Sequence, residues 1–369
     1  MFVARVLVSG SRRESWTVVG DGGLVVEPAE RYPSFLTDAG RSPNTVKAYA
    51  HDLRDWFEFL ACRGVDWATV EVEDVAGCVA WLRLPPAARG AAVAVLPVAE
   101  HCAASTINRK LAGVGSMYEH ALRCGVPVAA SLRVWRPAGR RAGARSFLHH
   151  LSKSRLVTAP VVRVRAGRRM PRTLSGEEVA ALVASCGRGR DRLLVQVLAV
   201  TGMRVGEALG LRHEDWDVAE CQVRVVGREN ENRARSKSLV PRTIPVPASL
   251  VHAYADYLHG EYGEYGELDS DYVFVNLWGG RVGAPLTYAA VYDMVRRLRA
   301  RTGIDFDPHW LRHTYATDLL RAEVPVEVVS ALLGHASVTT TSSTYAHLSV
   351  TDTRASLVRA GVLTQERTS

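Results

Sequence analysis

The sequence predicts a mostly α-helical chain with a small β-sheet, of the α+β class, and three observations predict it. Apolar residues recur at three- and four-residue steps through most of the patterned segments, which is the spacing of amphipathic helices. Alternation of apolar and polar residues, which indicates strands, is confined to a few short segments. The 369 residues are enough for two or three domains, and 47% of them are hydrophobic, which suffices for buried cores.

The first two predicted regions are a short β-rich extension over 1–27 and a helical domain over 28–125. In the extension apolar and polar residues alternate, and the segment 20–23, GDGG, is predicted to form a turn. In the domain, Ser42 is a suitable N-cap and Pro43 fits the first turn of a helix. Helices are predicted over 42–60, 69–84 and 105–123.

A basic linker is predicted over 126–171, with a short strand over 161–165. From 126 to 172 the sequence holds twelve Lys or Arg residues and no Asp or Glu, whereas the rest of the chain holds 34 basic and 38 acidic residues. The formal net charge of +8 therefore arises from this one segment. Positive charge concentrated in this way favours a polyanionic partner, and nucleic acid is the common one.

The second domain, over 172–369 with its C-terminal tail, is predicted to mix helices and strands. Ser175 and Glu178 form a capping box at the start of one helix. Gly202 and Gly334 stand where a glycine ends a helix. Strands alternate over 222–226 and 242–246, and further helices are predicted over 191–200, 285–302, 308–322 and 326–333.

Cysteine spacing and hydropathy limit the class of protein. The six cysteines include no C-x-x-C pair, which predicts reduced thiols rather than a disulfide framework or a zinc site. No run of about 18 apolar residues occurs, so no membrane segment is predicted. Residues 1–20 lack the pattern of a signal peptide. We therefore expect a cytoplasmic protein, associated with the nucleoid if its partner is DNA.

Two polar segments of the second domain carry candidate phosphate ligands. In TGMRVGEALGL, Arg204 begins a helix and Glu207, three residues later, could orient its guanidinium toward two phosphate oxygens; the alternative is a local ion pair. In PHWLRHTYAT, His309 and Arg312 project from one helix face and could meet one phosphate. The alternative, zinc bound by His309 and His313, lacks the glutamate of the H-E-x-x-H pattern and an evident third ligand.

Two further segments carry one candidate each. In LLGHAS, His335 follows the glycine that ends a helix, and in TTTSSTYAHL, Tyr345 lies ten residues further on. A histidine after a helix C-terminus and a tyrosine in a polar helix are each more often structural than catalytic, so neither residue identifies a site when it is considered alone.

In this order, the four segments resemble the catalytic boxes of the tyrosine recombinase, or phage integrase, family over about 172–350. The segments SPNTVKAYAHDLRDWFEFL and STINRKLAGVGSMYEHAL resemble the two characteristic helices of the family's N-terminal core-binding, SAM-like domain. The family also uses a lysine in a β-hairpin, and the segment SKSLVPRTIPV resembles that box, which points to Lys237. Arg233, Arg235 and Arg242 are neighbouring cations that could contact phosphate instead.

The resemblance implies a site-specific DNA recombinase or integrase that forms a 3′-phosphotyrosyl intermediate at Tyr345. His309 would be the general base and Lys237 the general acid. Arg204 and Arg312 would hold the non-bridging oxygens, and the set of phosphate ligands is completed by His335. The bond energy is kept in the ester, so neither ATP nor a metal nor any other cofactor is expected.

The partners implied by the resemblance are double-stranded DNA, held in a clamp between the two domains, and further copies of the chain. A homotetramer would act on two DNA sites, with accessory DNA-bending or directionality proteins. Lys47, Arg109 and Lys110 are candidate phosphate contacts from the first domain, or alternatively ordinary solvated helix charges. The N-terminal extension favours a mobile-element enzyme over a minimal resolvase.

Two other functions fit part of these observations. A type IB topoisomerase uses similar residues, but it acts as a monomer and rejoins only the original strands; the integrase-like N-terminal helices argue against it. A DNA-binding regulator that has lost catalysis would not need the full set of residues.

Overall fold

The computed structural model describes residues 1–7, 14–89, 101–128, 133–137, 156–167, 170–236, 240–266, 268–335 and 337–345. The chain forms two compact units, Met1–Arg168 and Arg169–Ser369. Within the described ranges the first unit contains β1 (Phe2–Leu7), β2 (Glu14–Val19), α1 (Glu27–Asp38), α2 (Pro43–Arg63), α3 (Val72–Arg83), α4 (Ala104–Arg123), β3 (Arg133–Pro137) and β4 (Leu156–Pro160). None of the described helices of the chain is both long enough and apolar enough to cross a membrane.

The N-terminal extension forms strands, as the alternation predicts. β1 and β2 pair antiparallel, with Phe2 opposite Val19. After the predicted turn at 20–23, a single bridge joins Val19 to Val25, so the chain returns to the sheet before α1 begins. β2 and α1 contribute to the same core, because Val18 and Leu36 are both buried in it.

The four helices of the first unit enclose an aromatic core. The predicted cap of α2 is confirmed, because the Ser42 hydroxyl accepts a hydrogen bond from the Thr45 amide at 3.2 Å. Trp56 of α2 meets the ring of Tyr118 of α4 edge-on at 6.2 Å, and the Tyr118 hydroxyl donates to the backbone oxygen of Trp67 at 2.7 Å. The ring contact joins the two longest described helices of the unit, and the hydrogen bond joins α4 to the segment that follows α2.

The prediction of a strand over 161–165 is wrong. The strand is β4, which pairs antiparallel with β3 and ends at Pro160. Beyond it, the side chain of Asn108 donates to the Val164 oxygen at 2.8 Å and accepts from the Val164 nitrogen at 2.9 Å. The backbone groups that a strand would use at Val164 are therefore taken by a side chain of α4.

The second unit contains helices and a three-stranded antiparallel sheet, in which β5 (Trp216–Asp217), β6 (Gln222–Val225) and β7 (Arg242–Pro245) pair in that order. Val223 of β6 lies opposite Ile244 of β7, and both are fully buried. The described elements are α5 (Gly176–Ala184), α6 (Gly189–Thr201), α7 (Val205–Ala208), β5 (Trp216–Asp217), β6 (Gln222–Val225), β7 (Arg242–Pro245), α8 (Ala248–Tyr257), α9 (Tyr288–Thr302), α10 (Pro308–Arg321), α11 (Val326–Leu333) and α12 (Val338–Tyr345).

Two glycines end helices as predicted. Gly202 closes α6 with φ of 61° and Gly334 closes α11 with φ of 63°, a left-handed conformation that a side chain would strain. The capping box of Ser175 and Glu178 is also present at the start of α5. Gly202 thus ends its helix two residues before Arg204, and Gly334 ends its helix one residue before His335.

Candidate active site

Arg204 is the N-cap residue of the short helix α7, two residues beyond the glycine that ends α6. Its Nη1 donates to Oε1 of Glu207 at 2.9 Å, and its backbone nitrogen donates to Oε2 of the same carboxylate at 3.1 Å. The Glu207 side chain is fully buried, whereas 22% of the Arg204 side chain is exposed. The ion pair fixes the direction of a guanidinium that still reaches the surface.

Glu207 binds a second guanidinium. Nη2 of Arg242, the first residue of β7, donates to Oε2 of Glu207 at 2.7 Å. Burial by itself raises the pKa of Glu207, but the hydrogen bond and the charge of Arg242, followed by those of Arg204, outweigh it and hold the pKa below its ordinary value. The carboxylate is therefore ionised and shared between two arginines.

Arg312 connects the ends of two helices. It lies in α10 with 2% of its surface exposed. Its Nη1 donates to the backbone oxygen of Gly202 at 2.7 Å, and its Nη2 donates to that of Leu333 at 2.7 Å. Carbonyls at helix C-termini carry partial negative charge and are natural partners for a guanidinium. Arg312 thus fixes the two turns that lead to Arg204 and to His335.

His335 directly follows Gly334 and is half-buried. Its Nδ1 lies 2.7 Å from the hydroxyl of Thr341, a fully buried residue of α12. Burial first, and then the charges of Arg312, Arg204, Arg242 and His309, lower the pKa of His335 to about 4. At neutral pH the ring is therefore uncharged, with one nitrogen as donor and the other as acceptor.

His309 and His313 lie on one face of α10, one turn apart. Their ring centroids are 4.5 Å apart at an interplanar angle of 66°. His309 is exposed, while His313 is half-buried, and burial followed by the charges of His309 and Arg312 lowers the pKa of His313 to about 4. Over the described ranges no group of three or more His, Cys, Asp or Glu side chains could hold a metal ion.

Two of the candidate residues cannot be placed in full. Tyr345 is the last residue of α12, so its backbone position is known, but its side chain lies outside what the structure describes. Lys237 also lies outside the described residues. Of the neighbouring cations, Arg233 and Arg235 are exposed, whereas the Arg242 side chain is only 10% exposed and engaged by protein groups.

The three candidate DNA contacts of the first unit differ in their surroundings. Lys47 is exposed, with Nζ 4.7 Å from the ring centroid of Trp16. Arg109 forms two hydrogen bonds with Asp52, at 2.5 and 2.8 Å, but 49% of its side chain remains exposed. The Lys110 side chain is only 12% exposed, and its ammonium contacts Asp52 at 3.4 Å and a second carboxylate at 2.6 Å. Contact with a phosphate is easiest for Lys47 and hardest for Lys110.

Two residues of this site were not identified as its parts from the sequence. Thr341 belongs to the polar run TTTSST, in which no spacing distinguishes the residue that faces His335. The sequence indicates Arg242 only as an alternative phosphate contact, because a strand pattern does not show that a long side chain at the first position of the strand folds back into the protein. Only the three-dimensional contacts distinguish these roles.

Two protein-family models match this chain. The model described as "Phage integrase family" matches residues 172–351, and "Phage integrase, N-terminal SAM-like domain" matches residues 29–125. Transposase A from transposon Tn554 of Staphylococcus aureus is 37% identical over 356 residues, which cover 95% of this chain and 96% of that protein. Tyrosine recombinase XerD of Mycobacterium tuberculosis is 29% identical over 324 residues, covering 84% of this chain and 89% of that protein.

Solved structures show the same fold. The Tn1549 transposon integrase in complex with circular intermediate DNA has a TM-score of 0.59 at 16% identity, covering 89% of this chain and 98% of that chain. XerH site-specific recombinase bound to a difH substrate has a TM-score of 0.55 at 18% identity, covering 92% of this chain and 85% of that chain.

Arginine and histidine side chains gather where α6 and α11 end, and guanidinium groups are able to bind phosphate oxygens. The chain belongs to the phage integrase family and is an enzyme of the tyrosine recombinase type, which acts in site-specific DNA recombination.

Proposed function

We propose that this enzyme cleaves and rejoins double-stranded DNA through a 3′-phosphotyrosyl bond at Tyr345, during integration or excision of a mobile element. The observation that carries the proposal is the cluster of Arg204, Arg312 and His335, which protein contacts hold at the ends of α6 and α11. The similarity to a transposon-encoded transposase over 95% of the chain supports the mobile-element role.

The cluster is suited to a phosphate whose negative charge increases in the transition state. Arg312 donates from each Nη, to the oxygens of Gly202 and Leu333, and these two bonds fix the plane of its guanidinium. Arg204 is more exposed than Arg312 and can approach a phosphate from the surface, while Arg312 acts from beneath it. Loss of one such donor typically slows a reaction by about 10²–10³-fold.

In the cleavage step the phenol oxygen of Tyr345 attacks phosphorus and the bond to the 5′ oxygen breaks. The phenol proton passes to His309, and Lys237 supplies a proton to the departing 5′ oxygen. Neutral His335 would donate from Nε2, provided that the Thr341 hydroxyl donates to Nδ1. Ligation reverses these transfers when a 5′ hydroxyl attacks the phosphotyrosine, so it consumes no ATP.

The positive charge that Mg²⁺ supplies in many nucleases would come from the arginines and Lys237. We therefore expect cleavage to proceed in the presence of a chelator. The assembly would be a homotetramer on two double-stranded DNA sites, helped by accessory DNA-bending or directionality proteins. Lys47 and Arg109, more than Lys110, would contact phosphates, and the enzyme would act on the nucleoid in the cytoplasm.

A nicked suicide substrate that carries the element's own end sequence tests the chemistry. We expect a protein–DNA adduct that survives denaturing detergent, forms in EDTA and is absent in Tyr345→Phe. Tyr265→Phe is a matched control, because Tyr265 is a surface tyrosine of the same unit, 39% exposed. The proposal is refuted if the Tyr345→Phe protein forms the adduct at the normal rate.

A second assay separates recombination from strand relaxation. Two duplexes that carry different labels and the same site should yield a Holliday junction that contains both labels. A topoisomerase would instead relax supercoiled DNA and reseal only the original strands, and this outcome would contradict the recombinase assignment.

A further inference from the structure

Arg242 makes two contacts that lead to different parts of the site. Its Nη2 donates to Oε2 of Glu207 at 2.7 Å, and its Nε donates to the backbone oxygen of Leu332 at 2.7 Å. Only 10% of its side chain is exposed. One side chain at the start of β7 therefore joins α7 to the last turn of α11.

Each of these contacts is linked to a residue of the proposed phosphate site, one through a shared carboxylate and the other through the chain. Oε1 of Glu207 accepts from Nη1 of Arg204 at 2.9 Å, so the three charged groups form a continuous chain. Leu332 lies three residues before His335, and the oxygen of the intervening Leu333 is bound by Arg312. Two successive carbonyls at the end of α11 are thus each held by an arginine.

Protein groups enclose most of the guanidinium of Arg242. Its remaining nitrogen, Nη1, is buried and has no hydrogen-bond partner among the described residues. A Cβ at position 334 would lie 2.6 Å from this nitrogen, so the guanidinium occupies space that only a glycine leaves open. An unpaired buried donor is unfavourable, and a protein retains one where the rest of the group is needed.

We propose that Arg242 is a positioning residue that fixes the position of Arg204 relative to His335, and that it does so without touching DNA. This inference rests on the proposed roles of Arg204 and His335. The fork of an arginine is required, because its two contacts point to different elements, and a lysine ammonium at the end of a flexible stem cannot reproduce both.

Single-turnover adduct formation on the nicked substrate, together with DNA affinity, tests the proposal. We expect Arg242→Met to slow adduct formation by about 100-fold, the scale of a small misplacement of catalytic groups. The dissociation constant for DNA should stay within about twofold, because no DNA contact is lost. Arg242→Lys should recover part of the rate, since it restores a charge beside Glu207 but not the contact with Leu332.

The matched control is Arg224→Met. Arg224 is an exposed arginine on the adjacent strand β6, and we expect it to leave the rate unchanged. A rate for Arg242→Met equal to wild type would overturn the proposal. So would a weakened DNA affinity at an unchanged rate, because it would make Arg242 a DNA contact.

A double-mutant cycle separates positioning from general damage to the fold. Because Arg242 acts partly through Arg204, Arg242→Met should cost less in an Arg204→Ala background than in the wild type, and the remaining loss should reflect the contact with Leu332. An undiminished 100-fold loss in that background would contradict the proposal. If instead the proposed function were wrong, the result would differ: Arg204→Ala and His335→Ala would themselves form the adduct at the wild-type rate.

Discussion

Replacing Glu207 with glutamine tests the row of charged groups formed by Arg204, Glu207 and Arg242. The substitution keeps the size of the side chain but removes the negative charge between Arg204 and Arg242. The Glu207 side chain is fully buried, whereas its partners are 22% and 10% exposed, so solvent screens the two arginines only in part. Breaking a buried pair on one side costs about 3–5 kcal/mol, and we expect about 3 kcal/mol because Arg204 reaches solvent.

Urea unfolding measures this loss, with hydrogen exchange of α7 assigning it to the second unit. Glu214→Gln is the matched control, because Glu214 pairs with Arg228 but is 67% exposed, and such a pair contributes about 0–1 kcal/mol. The pKa of Glu207 is held below its ordinary value of 4.5, so its stabilisation is complete above pH 4.5 and is lost as the pH falls through the lower, folded-state pKa. A difference between wild type and Glu207→Gln that is below 1 kcal/mol at pH 7, or that does not shrink in acid, would refute the reasoning.

Three further predictions concern the surroundings of His335 and the first unit. Thr341→Val should slow adduct formation by about tenfold, while Thr339→Val, at an exposed position of the same helix, should not; equal rates for both would contradict a role for the hydroxyl. Because the pKa of His335 is lowered to about 4, its contribution to stability should be complete above pH 6.5 and be lost between pH 6.5 and 4; urea unfolding of His335→Gln should show a weaker loss over that window. Arg109→Ala should reduce the slope of log affinity against log salt by about one, whereas Lys110→Met should chiefly lower the unfolding free energy, because the buried carboxylates Asp52 and Asp55 would each lose one of their two cationic partners; the reverse pattern would show that Lys110 is the DNA contact.

The sequence is sufficient to predict where a helix begins or ends when a single residue fixes the backbone conformation at that point. Ser42 caps α2, and Gly202 and Gly334 end their helices, because each effect depends on a side chain or a φ angle at a single position. The helix α1 was not predicted, because Pro33 stands inside it and lacks an N–H. Its buried face, which includes Tyr32, contributes to the core of the unit and stabilises it nevertheless.

Long-range contacts could not be predicted in this way. The segment 161–165 has the alternation of a strand, yet the side chain of Asn108, more than fifty residues away in sequence, binds its backbone at Val164. β5 and α8 are too short or too weakly patterned to be recognised without the sheet and core that they join. Tertiary contacts override the local pattern at each of these places.

The same division holds in the site. The ion pair of Arg204 and Glu207 could be predicted because i,i+3 residues of a helix are neighbours. The contacts of Arg242 with Glu207 and Leu332 span 35 and 90 residues, and no spacing in the sequence indicates them. The resemblance to a known family supplies the candidate groups, while the structure shows which contacts hold Arg204, Arg312 and His335 in place.

The most direct test of the central claim is to identify the residue that carries the DNA. Trypsin should release the peptide 322–354 from the covalent adduct, and Tyr345 is the single tyrosine in that peptide. After nuclease trimming, mass spectrometry should find a 3′-linked nucleotide on this peptide, and fragmentation should place it at Tyr345. A nucleotide attached to any other tyrosine, or to a serine or threonine of the same peptide, would contradict the account.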